Sequence, residues 1–205
     1  MTTRRTGLRE QKKQATREAL REAALRLALE RGPDNVRVDD IAEAAGVSPR
    51  TYNNYFSSRE QAIVAAVTTE REARVAEAVA ARRDVPLADA VIDAIVEQYT
   101  AHGESGSDAL LLITTHPALR DAFVHTAATI EQPLADAIAG RLGETGPHTA
   151  RVLAASVAAA VRIALDSWLR PTVTGGLVVP SGALPELLRA ALGPLAPALA
   201  AAAKR

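Results

Sequence analysis

Histidines and carboxylates are the side chains of this chain that could support catalysis or bind a metal, and their spacing supports neither. The histidines include no i, i+4 pair of the kind that helical zinc sites use; they are His102, His116, His125 and His148. No HExxH, GxSxG or glycine-rich phosphate loop occurs, and the absence of cysteine removes thiolate ligands, cysteine nucleophiles and disulfides. The carboxylates are scattered along the chain. We therefore predict no enzymatic activity, no metal site and no cofactor.

A short segment indicates a different kind of chemistry. Ile41-Ala42 and Ala45-Gly46-Val47 put small residues where two helices must touch, and Gly46 lies at a tight turn that we expect to need positive φ. Two short helices with a glycine in their turn are typical of a DNA-binding helix-turn-helix, whose second helix enters the major groove. A plain helical hairpin would use the same small residues.

The distribution of charge agrees with a nucleic-acid partner. The formal net charge of the chain is 0, but residues 1–60 carry twelve Lys and Arg against nine Asp and Glu. The excess is concentrated before residue 18, where there is one acidic residue, Glu10, and there are six cations: Arg4, Arg5, Arg9, Lys12, Lys13 and Arg17. A basic end on a neutral body suits binding to DNA. A solvated, partly disordered tail has the same composition.

Composition and periodicity predict an all-α protein of about nine helices. The chain is rich in alanine, only 3% of its residues are aromatic, and the β-branched runs of sheet proteins are absent. Leu20, Ala23, Ala24 and Leu27 recur at helical spacing in a first helix over 8–31. Further helices are predicted over 38–45, 48–56, 58–83, 87–101, 108–115, 118–142, 148–169 and from 183 onward, with a loop over 171–182.

The location of the protein is predicted from what the sequence lacks. No stretch of about 20 apolar residues is without charge, and the N-terminus shows no apolar signal segment. We expect a cytoplasmic protein that does not span a membrane.

The segment VRVDDIAEAAGVSPRTYNNYFSSREQAI, preceded by a helix that ends in Glu30-Arg31-Gly32, resembles the N-terminal domain of the TetR family of transcriptional regulators over about residues 10–65. The rest of the chain is similar to the family in helix order and in having Trp168 in the penultimate helix. The RTYNNYFSSRE variant with its LREQKK lead-in is similar to an actinobacterial subgroup that senses acyl-CoA-like or other lipophilic ligands.

This resemblance implies two domains. Residues 1–57 would form a three-helix DNA-binding domain, with the helix-turn-helix at 37–56, and residues 58–205 a helical ligand-binding and dimerisation domain. The protein would act as a repressor that a small lipophilic effector releases from double-stranded operator DNA.

Two positions depart from the family pattern. Arg37 stands where the second helix usually has a threonine N-cap, so its cap hydrogen bond must come from elsewhere or is missing. Asn53 replaces an aromatic residue in the middle of the recognition helix. Because asparagine can read an adenine edge, the operator cannot be inferred from a relative.

The spacing within the recognition helix predicts the role of each side chain. Arg50, Asn53 and Asn54 lie within about one turn and are predicted to read bases. Phosphate contacts are predicted for the backbone N–H of Ser48 and for the hydroxyls of Thr51 and Tyr55. Further phosphate candidates are Arg59, which is equally well explained as a surface arginine, and Arg17 with the basic N-terminal residues. Tyr52 is predicted to belong to the core.

The length of the body favours a sensor, because a helix-turn-helix alone needs only about 50 residues while some 140 follow. Polar or aromatic side chains among its aliphatic residues are the candidate effector contacts: Tyr99, His116, Arg120, His125, Arg162, Asp166 and Trp168. Arg162 and Asp166, at i and i+4, are also predicted to pair with each other on the surface. The scarcity of aromatic residues favours an aliphatic effector. A DNA-binding protein without a ligand is the alternative.

The last two helices are predicted to form a homodimer interface. Leu188, Leu192, Leu195 and Leu199 step by 4, 3 and 4, and the penultimate helix presents Val152, Ala155, Ser156, Ala159 and Ile163. Packing within one chain would use the same stripes. A palindromic operator favours the dimer, because it needs two recognition helices.

Overall fold

A computed structural model describes residues 3–68, 71–100, 106–143, 147–170, 172–174, 177–179 and 182–203. Twelve α-helices lie within these ranges: α1 (Thr3–Arg31), α2 (Val38–Ala44), α3 (Pro49–Tyr52), α4 (Arg59–Thr68), α5 (Arg71–Ala81), α6 (Leu87–Thr100), α7 (Gly106–Thr115), α8 (Pro117–His125), α9 (Glu131–Leu142), α10 (Pro147–Leu169), α11 (Leu184–Leu192) and α12 (Ala196–Ala202). Short 3₁₀ helices occupy Pro33–Asn35, Thr126–Ile130 and Gly193–Leu195. The all-helical fold class is confirmed.

The nine expected helices account for these twelve segments of the described chain, because three of them are each divided in two. The helix expected over 58–83 corresponds to α4 and α5, and the last one to α11 and α12. The helix expected over 118–142 corresponds to α8 and α9, and a 3₁₀ turn separates them. Pro133 lies in the first turn of α9, where a missing N–H costs no helical hydrogen bond.

One short hairpin lies in a segment predicted as a loop. Strands β1 (Thr172–Thr174) and β2 (Leu177–Val179) pair antiparallel, with Thr174 opposite Leu177. The sequence signal is a Gly175-Gly176 pair between two short segments rich in β-branched residues, TVT and LVV, which is typical of a two-residue hairpin connection. The loop prediction was wrong for these six residues.

The chain divides into two compact units, and the domain division at residue 57 stays a prediction. Unit 1 comprises residues 1–69 and 104–123, and unit 2 comprises residues 70–103 and 124–205. In unit 1, α1 packs along α4 and contacts α2, and α2 contacts α3. The predicted α1 stripe is buried as expected, since Leu20 and Ala24 are fully enclosed.

Unit 2 is a helical bundle around α10, which packs along α9 and α11, while α5 packs against α6 and α9. Its core is aliphatic and includes Val75, Ile95, Leu134, Ile138 and Leu165. Within α10, His148–Leu169 is long and apolar enough to cross a membrane, with a mean hydropathy of 1.6. Half of that stretch is buried, as in the core helix of a soluble protein.

Candidate nucleic-acid interface

The start of α2 resolves the question raised by Arg37. The backbone N–H of Arg37 donates to Oδ2 of Asp40 at 2.9 Å, which supplies the reciprocal half of a capping box. An arginine side chain has no acceptor, so it cannot replace the threonine cap. Asp39 and Asp40 also place negative charge in the first turn, where the helix dipole favours it.

The turn between α2 and α3 has the predicted geometry. Gly46 has φ 69°, a left-handed conformation that favours glycine. Its N–H donates to the carbonyl of Glu43 at 3.0 Å, and Val47 N–H donates to the carbonyl of Ala42 at 2.9 Å, so the end of α2 keeps its hydrogen bonds. The turn thereby ends α2 and leads directly into α3.

Ser48 caps α3. Thr51 N–H donates to Ser48 Oγ at 3.1 Å, the two hydroxyls lie 2.9 Å apart, and Pro49 follows at the first helical position. Because the Ser48 hydroxyl caps α3, a contact of that hydroxyl with DNA would weaken the helix. Its predicted phosphate contact through the backbone N–H stays a prediction.

The recognition helix is shorter than predicted. Its α-helical part ends at Tyr52 rather than near Phe56, and the chain continues in tighter turns: Asn54 N–H donates to Thr51 O at 3.1 Å and Tyr55 N–H to Tyr52 O at 2.8 Å. Two consecutive asparagines favour this change, because asparagine has low helix propensity. The side chains of Arg50, Asn53 and Asn54 are exposed, and Thr51 and Tyr55 are half-buried.

Tyr52 anchors this segment in the core of unit 1. It is fully buried, and its hydroxyl donates to the carbonyl of Ser58 at 2.8 Å. Burial, with a smaller contribution from the Glu60 carboxylate, raises the pKa of Tyr52 to about 12. Its ring lies 5.8 Å from that of Phe56, and the guanidinium of Arg17 lies 5.8 Å from the centre of the Phe56 ring. The core role predicted for Tyr52 is confirmed.

Arg59 is held inside unit 1 instead of pointing freely to solvent. Its Nη1 donates to the carbonyls of Asp34 and Val36, both at 3.0 Å, and its Nε donates to Glu60 Oε1 at 2.7 Å. Burial raises the pKa of Glu60, but hydrogen bonds from Arg59, Ser58 and the backbone outweigh this effect and lower it overall. A phosphate contact by Arg59 would have to replace some of these bonds.

A basic cleft of about 630 Å³ lies beside the exposed recognition segment. Its walls come from α1 and from the segment around the end of α3: Arg9, Lys12, Lys13, Thr16, Thr51, Asn54 and Tyr55. Arg50 and Asn53 are not in this lining. Thr16 was missed by the sequence reasoning, although its spacing of three and four residues from Lys13 and Lys12 places it on their face of α1.

The candidate effector residues are distributed over both units. His116 and Arg120 belong to unit 1, where His116 Nδ1 lies 3.0 Å from the carbonyl of Leu112. His125 belongs to unit 2 and is exposed. The structure therefore does not gather these seven residues within a single unit.

On α10, the structure changes one predicted pair. Asp166 Oδ1 lies 2.7 Å from Nε of Arg170, so its salt bridge is to Arg170 and the pairing predicted with Arg162 was wrong. Both arginines are four residues from Asp166, and the C-terminal partner is the better oriented for a helix. Arg162 is exposed and Trp168 is half-buried.

Tyr99 is the one deeply buried aromatic residue among the seven candidates, and Arg71 is its neighbour. The Arg71 guanidinium lies 4.4 Å from the centre of the Tyr99 ring. Burial lowers the pKa of Arg71 and raises the pKa of Tyr99. The sequence reasoning missed Arg71, although a signal exists: it precedes the buried Val75 and Val79 at steps of four, so it lies on the apolar stripe of α5.

An open groove of about 660 Å³ lies in unit 2, between α10 on one side and the start of α9 with the 3₁₀ turn before it on the other. It is lined by Ala128, Thr129, Glu131, Gln132, Ala135, His148, Arg151, Val152 and Ala155. None of the seven candidate effector residues is in this lining.

The predicted dimer surface is only partly exposed. Leu188, Leu192 and Leu199 are buried within the single chain, so these three cannot form an interface and that part of the prediction was wrong. Their stripe of α11 and α12 packs against α10 and α6 instead. The stripe of α10 is open: Val152 is 64% exposed and Ile163 55% exposed, with exposed Ala155 and Ala159 between them.

These features define a helix-turn-helix DNA-binding regulator, and comparison with known proteins gives its family. Residues 20–67 match the family described as bacterial regulatory proteins, tetR family, and residues 85–200 match the MftR C-terminal domain. The chain belongs to the TetR family of transcriptional regulators, which are non-enzymatic proteins that bind operator DNA, dimerise and bind small-molecule ligands.

A match to an individual regulator covers a smaller part of the chain than the family matches do. The HTH-type transcriptional regulator TcmR of Streptomyces glaucescens is 39% identical over 70 residues, which cover 34% of this chain and about a third (31%) of that protein.

One similar solved structure is a TetR-family transcriptional regulator from Rhodococcus sp., with 22% identity and a TM-score of 0.44, covering 89% of this chain and 97% of that one. A second is the multidrug binding protein EbrR complexed with imidazole, with 21% identity and a TM-score of 0.41, covering 85% of this chain and 93% of that one. A third is RolR in complex with resorcinol, with 21% identity and a TM-score of 0.39, covering 96% of each chain.

Proposed function

We propose that this protein is a cytoplasmic, ligand-responsive repressor that binds a promoter as a dimer and leaves it when a small lipophilic effector binds. The observation that carries the DNA-binding part is the arrangement after Ser48. A capped, short α3 holds Arg50 and Asn53 in solvent, beside a cleft with three cations. Exposed Arg and Asn are the side chains best suited to read guanine and adenine edges.

Selection of bound DNA from random duplexes tests this function, because it reports both binding and sequence preference. We expect a palindromic consensus whose half-site centres lie about one helical turn, or a multiple of it, apart. A matched control is the double variant Arg50→Ala/Asn53→Ala, which should return a changed or weakened consensus. Failure of the wild-type chain to enrich any sequence would contradict the proposal.

The α10 stripe supports a proposal for the dimer surface. Val152, Ala155, Ala159 and Ile163 recur every three or four residues and are exposed in the single chain. The two alanines would let a second α10 approach closely, while the two larger residues would bury apolar area. We place the dimer contact on this stripe rather than on the leucines of α11 and α12.

The effector is proposed to bind in unit 2. The chain is longer than DNA binding requires, and the core of unit 2 is aliphatic, with the buried Tyr99 as an aromatic member and the half-buried Arg71 beside it. An aliphatic effector fits this composition better than a planar aromatic one. Five members of the candidate set lie in this unit and remain proposed contacts: Tyr99, His125, Arg162, Asp166 and Trp168. His116 and Arg120 lie in unit 1 and are not proposed as contacts of an effector bound in unit 2.

A two-part screen tests the effector. Fatty acyl-CoAs, free fatty acids and aromatic antibiotics would each be assayed for thermal stabilisation and for release of the protein from its selected operator. A true effector must do both, since a ligand that lowers DNA affinity is itself bound less tightly by the DNA complex. Stabilisation without release would indicate pocket filling alone, and release only by an aromatic drug would contradict the aliphatic proposal. Failure of every compound would favour a DNA-binding protein without a small effector.

A further inference from the structure

Arg71 is a cation that the fold encloses at the start of α5. It precedes Val75 and Val79 at steps of four, so it lies on the buried stripe of that helix. The residue as a whole is half-buried, but its Nε and Nη1 atoms are shielded from solvent. Because arginine keeps its positive charge in proteins, a charge is held beside an aliphatic core.

The contacts of Arg71 within unit 2 leave part of its hydrogen-bonding capacity unused. Its guanidinium lies 4.4 Å from the centre of the ring of Tyr99, a buried residue of α6. Nε carries one N–H and Nη1 carries two, and neither nitrogen has a hydrogen-bond acceptor in the described part of the chain. Buried donors are normally satisfied, so these N–H groups call for an acceptor from outside the chain.

Other half-buried arginines of unit 2 show how this fold satisfies a guanidinium from within. Arg141 donates three hydrogen bonds to backbone carbonyls of the segment 79–85, at 2.7 to 3.1 Å. Arg82 forms a salt bridge with the carboxylate of Glu97 on α6. Beside Arg71, α6 presents an aromatic ring instead of a carboxylate.

The charged neighbours of Arg71 do not fully stabilise its charge. Desolvation has the largest effect on its pKa and lowers it, contact with Tyr99 raises it, and the effects of Arg74 and Glu72 are opposite in sign. The pKa stays below its ordinary value, so the charged form is less favoured here than in water. An anion at Nε and Nη1 would counter this effect, because an opposite charge at short range favours the charged form.

We propose that Arg71 binds the carboxylate of the effector, which makes the effector an aliphatic acid with a free carboxylate at one end. This inference rests on the proposed ligand-responsive function and names the ligand class of that site. A carboxylate accepts several hydrogen bonds and carries the single negative charge that balances one guanidinium. A phosphate monoester carries more than one charge at pH 7, so part of its charge would stay uncompensated beside the aliphatic core.

The test compares the affinity of the full chain for dodecanoate with its affinity for dodecanol and methyl dodecanoate, which have an equally long chain and no charge. Calorimetric titration gives each Kd, and release of the protein from its selected operator is measured in parallel. The wild type should bind dodecanoate about 10- to 100-fold more tightly than either neutral probe, because its hydrogen bonds involve two charged groups. Dodecanoyl-CoA should bind less tightly than dodecanoate, because its thioester has no carboxylate, and equal or tighter binding would overturn the proposal.

Variants of α5 assign the preference to one residue. Arg71→Gln removes the charge, so dodecanoate and dodecanol should then bind alike. The matched control is Arg74→Gln, which removes an exposed cation within one turn of the same helix and should keep the preference. Arg71→Lys keeps the charge but not the guanidinium donors, and it should retain only part of the preference. If circular dichroism shows that Arg71→Gln does not fold, Arg71→Lys decides, and a preference equal to that of the wild type would overturn the proposal.

The possible failures are distinguishable. If none of these aliphatic probes binds, the proposed aliphatic effector and this inference both fall. If the neutral probes bind and release the protein as well as dodecanoate does, or if Arg71→Gln keeps the wild-type preference, the aliphatic effector stands and only the carboxylate site is overturned. Preferential binding of dodecanoate that Arg71→Gln abolishes, but without release from the operator, would support the site and contradict the effector role.

Discussion

The guanidinium Nη1 of Arg59 lies 3.0 Å from the carbonyl oxygen of Val36, a residue 23 positions earlier in the chain. The same nitrogen donates to the carbonyl of Asp34 at 3.0 Å. Arg59 thereby joins the first turn of α4 to the 3₁₀ turn that follows α1. These hydrogen bonds hold the segment that leads from α1 into α2.

Arg59→Ala should lower the free energy of unfolding by about 2 kcal/mol, because two carbonyls lose a charged donor. Arg59→Lys should recover only part of that, since an ammonium does not present the fork of a guanidinium. Chemical denaturation monitored by circular dichroism measures both. Unchanged stability together with a lower salt slope in DNA binding would instead identify Arg59 as a phosphate contact.

Tyr52 should make stability sensitive to alkaline pH. Its folded-state pKa, raised to about 12, lies above its ordinary value of 10.0, so the neutral form is favoured in the folded state. The resulting stability is complete below pH 10 and is lost as the pH rises through 12. Tyr52→Phe removes the hydroxyl bond to Ser58 and should cost about 1 kcal/mol at pH 7.

Urea unfolding at several pH values between 7 and 11 checks this prediction. The difference between wild type and Tyr52→Phe should shrink or reverse toward pH 11, because only the wild type must keep this phenol neutral. Tyr99 also has a raised pKa, but it is present in both proteins and cancels in the comparison. A difference that is independent of pH would contradict the pKa of Tyr52.

Arg50→Ala and Asn53→Ala should each weaken specific binding by about 1–3 kcal/mol and relax preference at one base pair. Both side chains are exposed on the recognition segment and are not among the residues that line the basic cleft. Repeated selection with each variant measures the change. An unchanged consensus for both variants would show that they do not enter the groove.

Tyr99 should stabilise unit 2 through its ring more than through its hydroxyl. Tyr99→Phe keeps the aromatic face that lies 4.4 Å from the Arg71 guanidinium, whereas Tyr99→Leu removes it. A buried cation–π contact is worth about 2 kcal/mol, so the leucine variant should unfold at clearly lower denaturant concentration. Equal loss in both variants would assign the stabilisation to the hydroxyl instead.

Local signals predicted the parts of the interface that depend on neighbours in sequence. Gly46 at a positive-φ turn, Ser48 as a cap and Tyr52 in the core follow from residue type and spacing within about ten residues. The cap at Ser48 predicts where α3 begins but not where it ends, and the low helix propensity of Asn53 and Asn54 ends it at Tyr52.

Features that depend on distant contacts could not be predicted in the same way. The partners of Arg59 lie 23 and 25 residues away, and the cleft needs α1 to meet the segment after α3. The leucine stripe of α11 shows the limit most clearly. A stripe at helical spacing predicts burial, but it does not tell whether the covering surface belongs to the same chain or to a partner.

The two apolar stripes of unit 2 should therefore respond differently to charge. Ile163→Glu lies on the exposed face of α10 and should produce a folded monomer with weaker operator affinity, because each half-site alone loses the linked second contact. Leu188→Glu should instead unfold the protein, since Leu188 is fully buried and an unpaired charge there costs several kcal/mol.

Leu111→Glu is a matched control, because Leu111 is an exposed leucine of unit 1 that is 63% accessible. Sedimentation at micromolar concentration with circular dichroism separates the three: we expect a monomer, an unfolded chain and an unchanged dimer, respectively. A dimeric Ile163→Glu variant would remove α10 from the interface, and a folded monomeric Leu188→Glu variant would return the interface to α11.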